Sequence, residues 1–426
     1  MRSLPLLSKR LVISSTLTAL VIGAVGCDSA PDRVVASVER RETTRVSGDG
    51  HTAVPTDPDP TTPTEPTDPV DPTDPGTPTG PTDPVDPTDP TDPADPNDPV
   101  DPVGPAACES GVICVESFPY VDARTTFGGA DRFDRYSCAP ATDESGPEVV
   151  YRVDLPEDGL LVASLDDVPA GVDVDVHILD DLDSNACRDR GHWNAAAWLG
   201  AGTYYVVVDS WVNTSGTAFD GDYRLTLGLT RPADFEKDGL DAEVFAMGLH
   251  AFDLAWRDGE TERLEYTVID FSLYSGFKRL WTVDLRDGSL LFAEPVTHGE
   301  GSEDPNNLGF AYRFSNIEDS HQSSLGMMLT GQRYNSSDNG LSMRMSGLED
   351  GINDQVWKRA IVVHSDPYAS ASFLATHGYL GNSWGCQVID PAKIADFIGT
   401  VENGTLMWSY FPDDDFLRTS VFLEGF

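Results

Sequence analysis

Residues 377–390 run HGYLGNSWGCQVID, and a single cysteine, Cys386, stands there between small and rigid neighbours. Upstream, RAIVVH (359–364) is a short apolar run of strand length that ends on His364. A thiol attacks as its thiolate, yet a free thiol with a pKa of about 8.5 is mostly protonated at neutral pH. A histidine within hydrogen-bond reach would take that proton and later return one to a departing amine. Without such a partner, a lone cysteine is a small buried apolar residue. The surrounding sequence decides between the two.

Outward from this stretch, residues 231–426 form one α+β unit in which β structure dominates. DAEVFAMGLHAFDLAWRDG places Val244, Phe245, Met247, Leu249, Phe252, Leu254 and Ala255 at helical spacing, so an amphipathic helix opens the unit. RLEYTVIDFS, KRLWTVDL and SLLFAEPVTH follow as strands, the last two joined through Asp287-Gly288, a hairpin signal. A helix is expected from about Pro391 to Thr400 with proline in its first turn, and TLMWSYF closes the unit as a strand.

The strings VIDFS, VTHGEGSED, FSNIEDSHQSSLG, GLEDGIND, RAIVVH and HGYLGNSWGC occur in that order. Together they resemble the murein L,D-transpeptidase catalytic domain, the YkuD-type family, most closely its branch with SWGC, over Leu240 to Tyr410. The resemblance implies that Cys386 is the nucleophile, that His364 activates it, and that the Ser365 main-chain carbonyl orients the imidazole. Backbone N–H groups around Trp384, Gly385 and Cys386 would form the oxyanion hole. His298, His377, Ser323, Ser324 and Ser383 fall on or beside positions that would line a substrate groove. Trp384 departs from the wider family, which has histidine there, and Gln387-Val388 stand where a basic or amide residue is usual.

The residues themselves leave alternatives open. His298 beside Gly299 also fits a turn, and Ser323 and Ser324 fit a loop that satisfies its own backbone. Arg344 and Arg359 would pair a substrate carboxylate in bidentate fashion, or an abundant surface Asp or Glu. Trp384 stacks on substrate or walls the pocket. The family would use no cofactor. Its reaction is acyl transfer between peptidoglycan stem peptides, with release of D-alanine from a tetrapeptide donor. Water as acceptor would give an L,D-carboxypeptidase, and a chain without chemistry would be an envelope-binding lipoprotein.

Before this unit, EVVYRVDL, GLLVASL, VDVDVHIL, GTYYVVVDS and DYRLTLGL recur at regular spacing between Gly, Pro and Asp turns within residues 108–230, the pattern of an antiparallel, jelly-roll-like β-sandwich. GVDVDVHILDD and LGAGTYYVVVDS resemble bacterial pre-peptidase C-terminal domains from about Glu148 to Leu229. Asp173, Asp175, Asp180, Asp181 and Asp183 would suit calcium, or are solvent-facing carboxylates between buried valines. No cysteine and histidine spacing makes a zinc site, so no metal is expected.

The N-terminus has basic residues Arg2, Lys9 and Arg10 before an apolar run, Leu11 to Gly26, which is short for a bilayer span and has the form of a secretory signal. AVGC resembles a lipobox that would leave Cys27 lipidated, so 1–26 is expected to be a lipoprotein signal and 27–54 a tether. Residues 55–107 repeat Pro, Asp and Thr, without Lys, Arg or aromatics. This composition cannot form a core and favours an extended polyproline II spacer. The net charge of −43 argues against a nucleic-acid partner, for which clustered Lys and Arg are needed. Membrane attachment and the wall polymer are the expected partners, at the bacterial envelope facing the periplasm or wall. Of six cysteines, four fall between 108 and 187. Cys108–Cys114 and Cys138–Cys187 are the favoured pairs of three possible connectivities, leaving Cys386 as an odd thiol.

Overall fold

The structure is a computed structural model that describes residues 108–426. The signal segment, Cys27 and the Pro-rich linker lie outside the described residues. No described helix is long and apolar enough to cross a membrane.

The first part is built from β1 (Val112–Val115), β2 (Tyr120–Thr125), β3 (Val149–Leu155), β4 (Gly159–Asp166), β5 (Val174–Leu179), β6 (Cys187–Gly191), β7 (Asn194–Leu199), β8 (Gly202–Ser210) and β9 (Asp222–Thr230). They form a five-stranded sheet, β1-β3-β8-β5-β6, and a four-stranded sheet, β2-β9-β4-β7. Every neighbouring pair is antiparallel except β1 with β3. Tyr151, Val153, Val176 and Val206 of one sheet and Leu161, Ala163 and Leu225 of the other fill the core between them. Disulfides join Cys108 to Cys114 and Cys138 to Cys187.

Asp175 does not face solvent as the alternation suggested. It is 2% exposed, and it contacts Arg190 and His192. The five aspartates do not converge either. Asp180 pairs with Arg188 at 3.0 Å, and Asp183 caps the turn at Asn185. Next to this region lies a buried polar cluster in which burial, then Asp175, pushes Glu144 up to about 9. Burial likewise lifts Asp209 to about 8 against its bond from Tyr136.

The second part opens with helix α1 (Ala242–Arg257), started by Asp241, whose carboxylate accepts from the amides of Glu243 and Val244. The strands β10 (Glu265–Asp270), β11 (Leu280–Asp284), β12 (Ser289–Glu294), β13 (Gly326–Ser336), β14 (Gly340–Gly347), β15 (Val362–Ser365), β16 (Gln387–Ile389) and β17 (Leu406–Tyr410) form one mixed sheet, with helices α2 (Ala371–His377), α3 (Ile394–Val401) and α4 (Asp414–Thr419) between or after them. The sheet order is β12-β11-β10-β17-β13-β14-β15-β16. β17, expected to close the unit, is a central strand between β10 and β13. All five of its residues are buried, on both faces, as in a core strand. Helix α3 begins at Ile394, three residues after Pro391, because the Asp390 carboxylate first binds the Ala392 amide in a turn. His377 ends α2, with Gly378 as the left-handed cap.

Helix α1 also packs toward the sandwich. Its buried residues share one apolar cluster with Leu160, Val162 and Ala196. The Asp253 carboxylate accepts from the Trp198 amide at 3.0 Å, and the Trp256 indole donates to Asp189 at 2.9 Å.

Candidate active site

The site grows from the edge of the large sheet. Strand β15 pairs antiparallel with β14, His364 opposite Ser342 and Val362 opposite Arg344. On its other side it pairs parallel with β16, His364 opposite Val388. Paired residues share a face and side chains alternate along a strand, so Arg344, Val362, His364 and Val388 belong to one face. Cys386 immediately precedes β16, and its Sγ lies 3.4 Å from the Val362 amide. The sulfur is therefore at the start of β15, with His364 two residues, about 6–7 Å, further along the same face.

Cys386 and His364 are both buried. His364 Nδ1 is 3.2 Å from the Ser365 carbonyl. A carbonyl only accepts, so Nδ1 carries the hydrogen and Nε2 the lone pair. That Nε2 has no hydrogen-bond partner among the described residues. Burial pushes His364 down to about 4, against the Ser365 carbonyl, which favours the charged ring. The imidazole is thus neutral at pH 7, as a proton acceptor must be. The expectation of an odd thiol is not met in this structure. Cys386 is disulfide-bonded. A thiolate is the attacking form of a cysteine, so chemistry at this residue needs its reduced form.

The turn ahead of Cys386 is tightly made. Gly385 has φ of +111°, and a Cβ there would stand 2.6 Å from the Gln322 carbonyl oxygen, so glycine is required. Ser383 is buried as a brace. Its hydroxyl donates to the Cys386 carbonyl at 2.7 Å and accepts from the Gly385 amide at 3.1 Å. Its own amide donates to the His298 carbonyl at 3.1 Å. The Gly385 N–H is thereby engaged inside the turn.

His298 is fully buried rather than placed in an open groove. Arg279 donates to its Nδ1 at 2.8 Å, so the proton resides on Nε2, which donates to Glu303 at 2.5 Å. Burial pushes His298 down to about 4 despite that carboxylate. Arg279 also donates to the carbonyls of Val296 and Leu273 at 2.9 and 2.8 Å. Burial raises Glu303, but the His298 bond and the Gly309 amide at 2.6 Å carry it below its ordinary value. Sequence reasoning missed Arg279 and Glu303. The only signal was the glutamate five residues after His298.

Ser323 accepts from the Gly299 amide at 3.1 Å and donates to the Gly385 carbonyl at 3.3 Å, and so joins two loops of the site. Ser324 accepts from Arg359 at 2.8 Å. Arg359 is buried and makes no ion pair among the described residues; it donates to main chain and hydroxyls of residues 315–324. Burial pushes it down to about 10. Arg344 lies over the rings of Tyr334 and Trp357, at 4.3 and 5.5 Å. His377 is exposed and stacks on Phe373, its Nδ1 3.0 Å from the Phe373 carbonyl. Trp384 stacks against His321, 4.4 Å between centroids. Sequence reasoning quoted His321 within a motif without assigning it.

In the sandwich, Asp173, Asp175 and His192 bring ligand atoms within 4.8 Å of one another. Arg190 contacts the same Asp175 carboxylate, which therefore already has a cationic partner.

Residues 236–410 match the model of the L,D-transpeptidase catalytic domain family. Among curated proteins, none matches the chain. Similar solved structures include an L,D-transpeptidase from Mycobacterium smegmatis, 12% identical, covering 59% of this chain and 99% of that one with a TM-score of 0.23. An L,D-transpeptidase in complex with imipenem is 13% identical, covering 50% and 76%, with a TM-score of 0.22. The pre-peptidase C-terminal domain of collagenase from Bacillus anthracis is 15% identical, covering 28% and 98%, with a TM-score of 0.20.

Proposed function

With residues 236–410 an L,D-transpeptidase catalytic domain by family, we propose that this chain cross-links peptidoglycan stem peptides through an acyl-enzyme on Cys386. The observation that carries the reading is His364 held as one neutral tautomer by the Ser365 carbonyl, on the sheet face where Cys386 immediately precedes the adjacent strand.

In the first half-reaction the Cys386 thiol passes its proton to His364 Nε2. The thiolate then attacks the carbonyl between the third stem residue, a diamino acid, and the terminal D-alanine. The main-chain amides of Trp384 and Cys386 would bear the developing oxyanion; the Gly385 amide, expected to share that role, is held by Ser383, which keeps the turn in shape. The C–N bond breaks, His364 returns the proton to the leaving amine, and D-alanine departs, leaving a thioester. In the second half-reaction an amine of a neighbouring stem attacks the thioester, loses a proton, and displaces the Cys386 thiolate. The reaction requires no cofactor.

The cellular setting belongs to the same proposal. A lipid on Cys27 would anchor the chain, and residues 55–107 would let the folded part reach the wall from the membrane. At about 3.1 Å per residue, some 50 residues reach on the order of 150 Å when extended.

Intact-protein mass spectrometry tests the chemistry. After reduction with a mild thiol, the folded protein incubated with a carbapenem should gain one covalent adduct, and peptide mapping should place it on Cys386. Its persistent absence from reduced, folded protein would sink the acyl-enzyme and favour an envelope-binding lipoprotein. With a tetrapeptide donor, release of D-alanine without cross-linked product in the presence of an amine acceptor would mark an L,D-carboxypeptidase instead.

A further inference from the structure

The loop 315–324 presents one side chain in an unusual way. His321 has φ of +54°, a left-handed backbone that is strained for a non-glycine residue. Arg359 braces the loop from its buried side, donating to the carbonyls of Ser315 and Gln322 at 2.6 and 2.5 Å and to the hydroxyls of Ser324 and Ser320 at 2.8 and 3.2 Å. Strain kept in place by a buried cation is a feature of sites that present a group in a fixed direction.

The group presented is an imidazole. Its plane lies within 3° of the Trp384 indole, 4.4 Å away, and one residue, Gly385, separates Trp384 from Cys386. His321 Nδ1 is 2.7 Å from a Glu300 carboxylate oxygen. The carboxylate accepts, so Nδ1 carries the hydrogen and the neutral ring keeps a lone pair on Nε2. The side chain remains 34% exposed. Glu300 is tied to the nucleophile turn, its amide donating to the Ser383 carbonyl at 2.7 Å, and the next amide, Gly301, donates to the His321 carbonyl at 2.9 Å. His364 has the same division of nitrogens and His298 the opposite one, and both are buried. His321 is the one of the three that a solvent-borne ligand can touch.

We propose that His321, oriented by Glu300 and Trp384, is the binding group for the amine-bearing side chain of the acceptor stem and so determines acceptor choice. An accepting Nε2 beside a carboxylate suits a protonated amine and disfavours a carboxylate ligand. The proposal rests on the acyl-enzyme reading of Cys386, and no covalent step is assigned to His321.

The test separates the half-reactions. Asparagine tolerates the left-handed backbone, so His321→Asn removes the imidazole with little disturbance of the loop, and Glu300→Gln removes the charge behind it. Acylation by a carbapenem and by a tetrapeptide donor is timed first. Cross-linking is then titrated with a stem peptide carrying a free side-chain amine, with thioester hydrolysis recorded in parallel. Both variants should acylate within about twofold of the parent. The acceptor KM should rise about 10- to 100-fold in His321→Asn and less in Glu300→Gln, the size of a lost hydrogen bond to a charged group, with hydrolysis taking a larger share. An unchanged acceptor KM in both variants overturns the assignment. So does a parallel fall in acylation and acceptor use, which would make His321 a structural residue. A parent protein that never acylates refutes the acyl-enzyme reading itself, an outcome the first measurement reveals alone.

Discussion

His364 and His377 both precede Cys386 closely, and their surroundings give them different tasks. His364 lies next to the end of a buried strand with its ring fixed by the Ser365 carbonyl, whereas His377 is the last residue of an exposed helix. His364→Ala should therefore lower the acylation rate of reduced Cys386 by about a hundredfold or more, and His377→Ala should retain measurable acylation. The pH profile checks the same assignment. Because burial holds His364 near 4, its neutral, accepting form persists well below the usual imidazole range. Activity governed by this ring should fall only as pH drops toward 4, two or more units lower than for an exposed histidine. An acid limb near 6.5, or a dead His377→Ala beside an active His364→Ala in folded protein, would reverse the roles. At this scale the sequence indicated Cys386 and His364 through the strand-end position and the SWGC motif. It could not indicate that the oppositely placed Arg279 and Glu303 clamp His298, because a basic and an acidic residue in loops of an acidic chain look like surface charges.

Among the elements, periodicity was a good guide where one face alone is buried. Helix α1 and the β11–β12 hairpin were both legible, the first from its apolar spacing and the second from Asp287-Gly288. Strands β13 and β14 and the short helix α2 carried weaker signals. β13 mixes buried methionines with exposed polar residues across a register shift, and α2 has no buried residue. β7, with the Ala-rich sequence NAAAWL, lacks the branched residues that mark strands, yet it pairs along β4 and receives α1. The α1 contact has a measurable consequence. Removing the Asp253 carboxylate leaves the Trp198 N–H without its acceptor in a half-buried setting, a loss of about 1–3 kcal/mol. Chemical denaturation should show Asp253→Ala less stable by that amount and Asp253→Asn, which keeps an acceptor oxygen, closer to the parent. Equal stability of all three would mean that the apolar cluster alone joins helix and sheet.

For the whole molecule, reach and chemistry are expected to be separable. If residues 55–107 serve as a spacer from a lipidated Cys27, scrambling their order at constant Pro and Asp content should leave wall cross-linking in cells intact. Deleting most of them should reduce it, while the isolated folded part keeps its activity on soluble stems. Equal loss from both changes would instead mark a specific binding segment. By itself, the sequence determined properties carried by composition and short-range pattern. These are the Pro- and Asp-rich stretch that cannot build a core, the alternating runs of the sandwich, the amphipathic helix, and the ordered motifs ending in SWGC. Tertiary structure alone decided which distant residues meet. The parallel pairing of β15 with β16 sets Cys386 beside Val362 and His364, Arg359 reaches across some forty residues to hold the His321 loop, and β17 enters the middle of the sheet. Local preference cannot encode such meetings, because a parallel or long-range pair has no sequence period; its partners are selected by the burial and hydrogen bonding that only the assembled sheet provides.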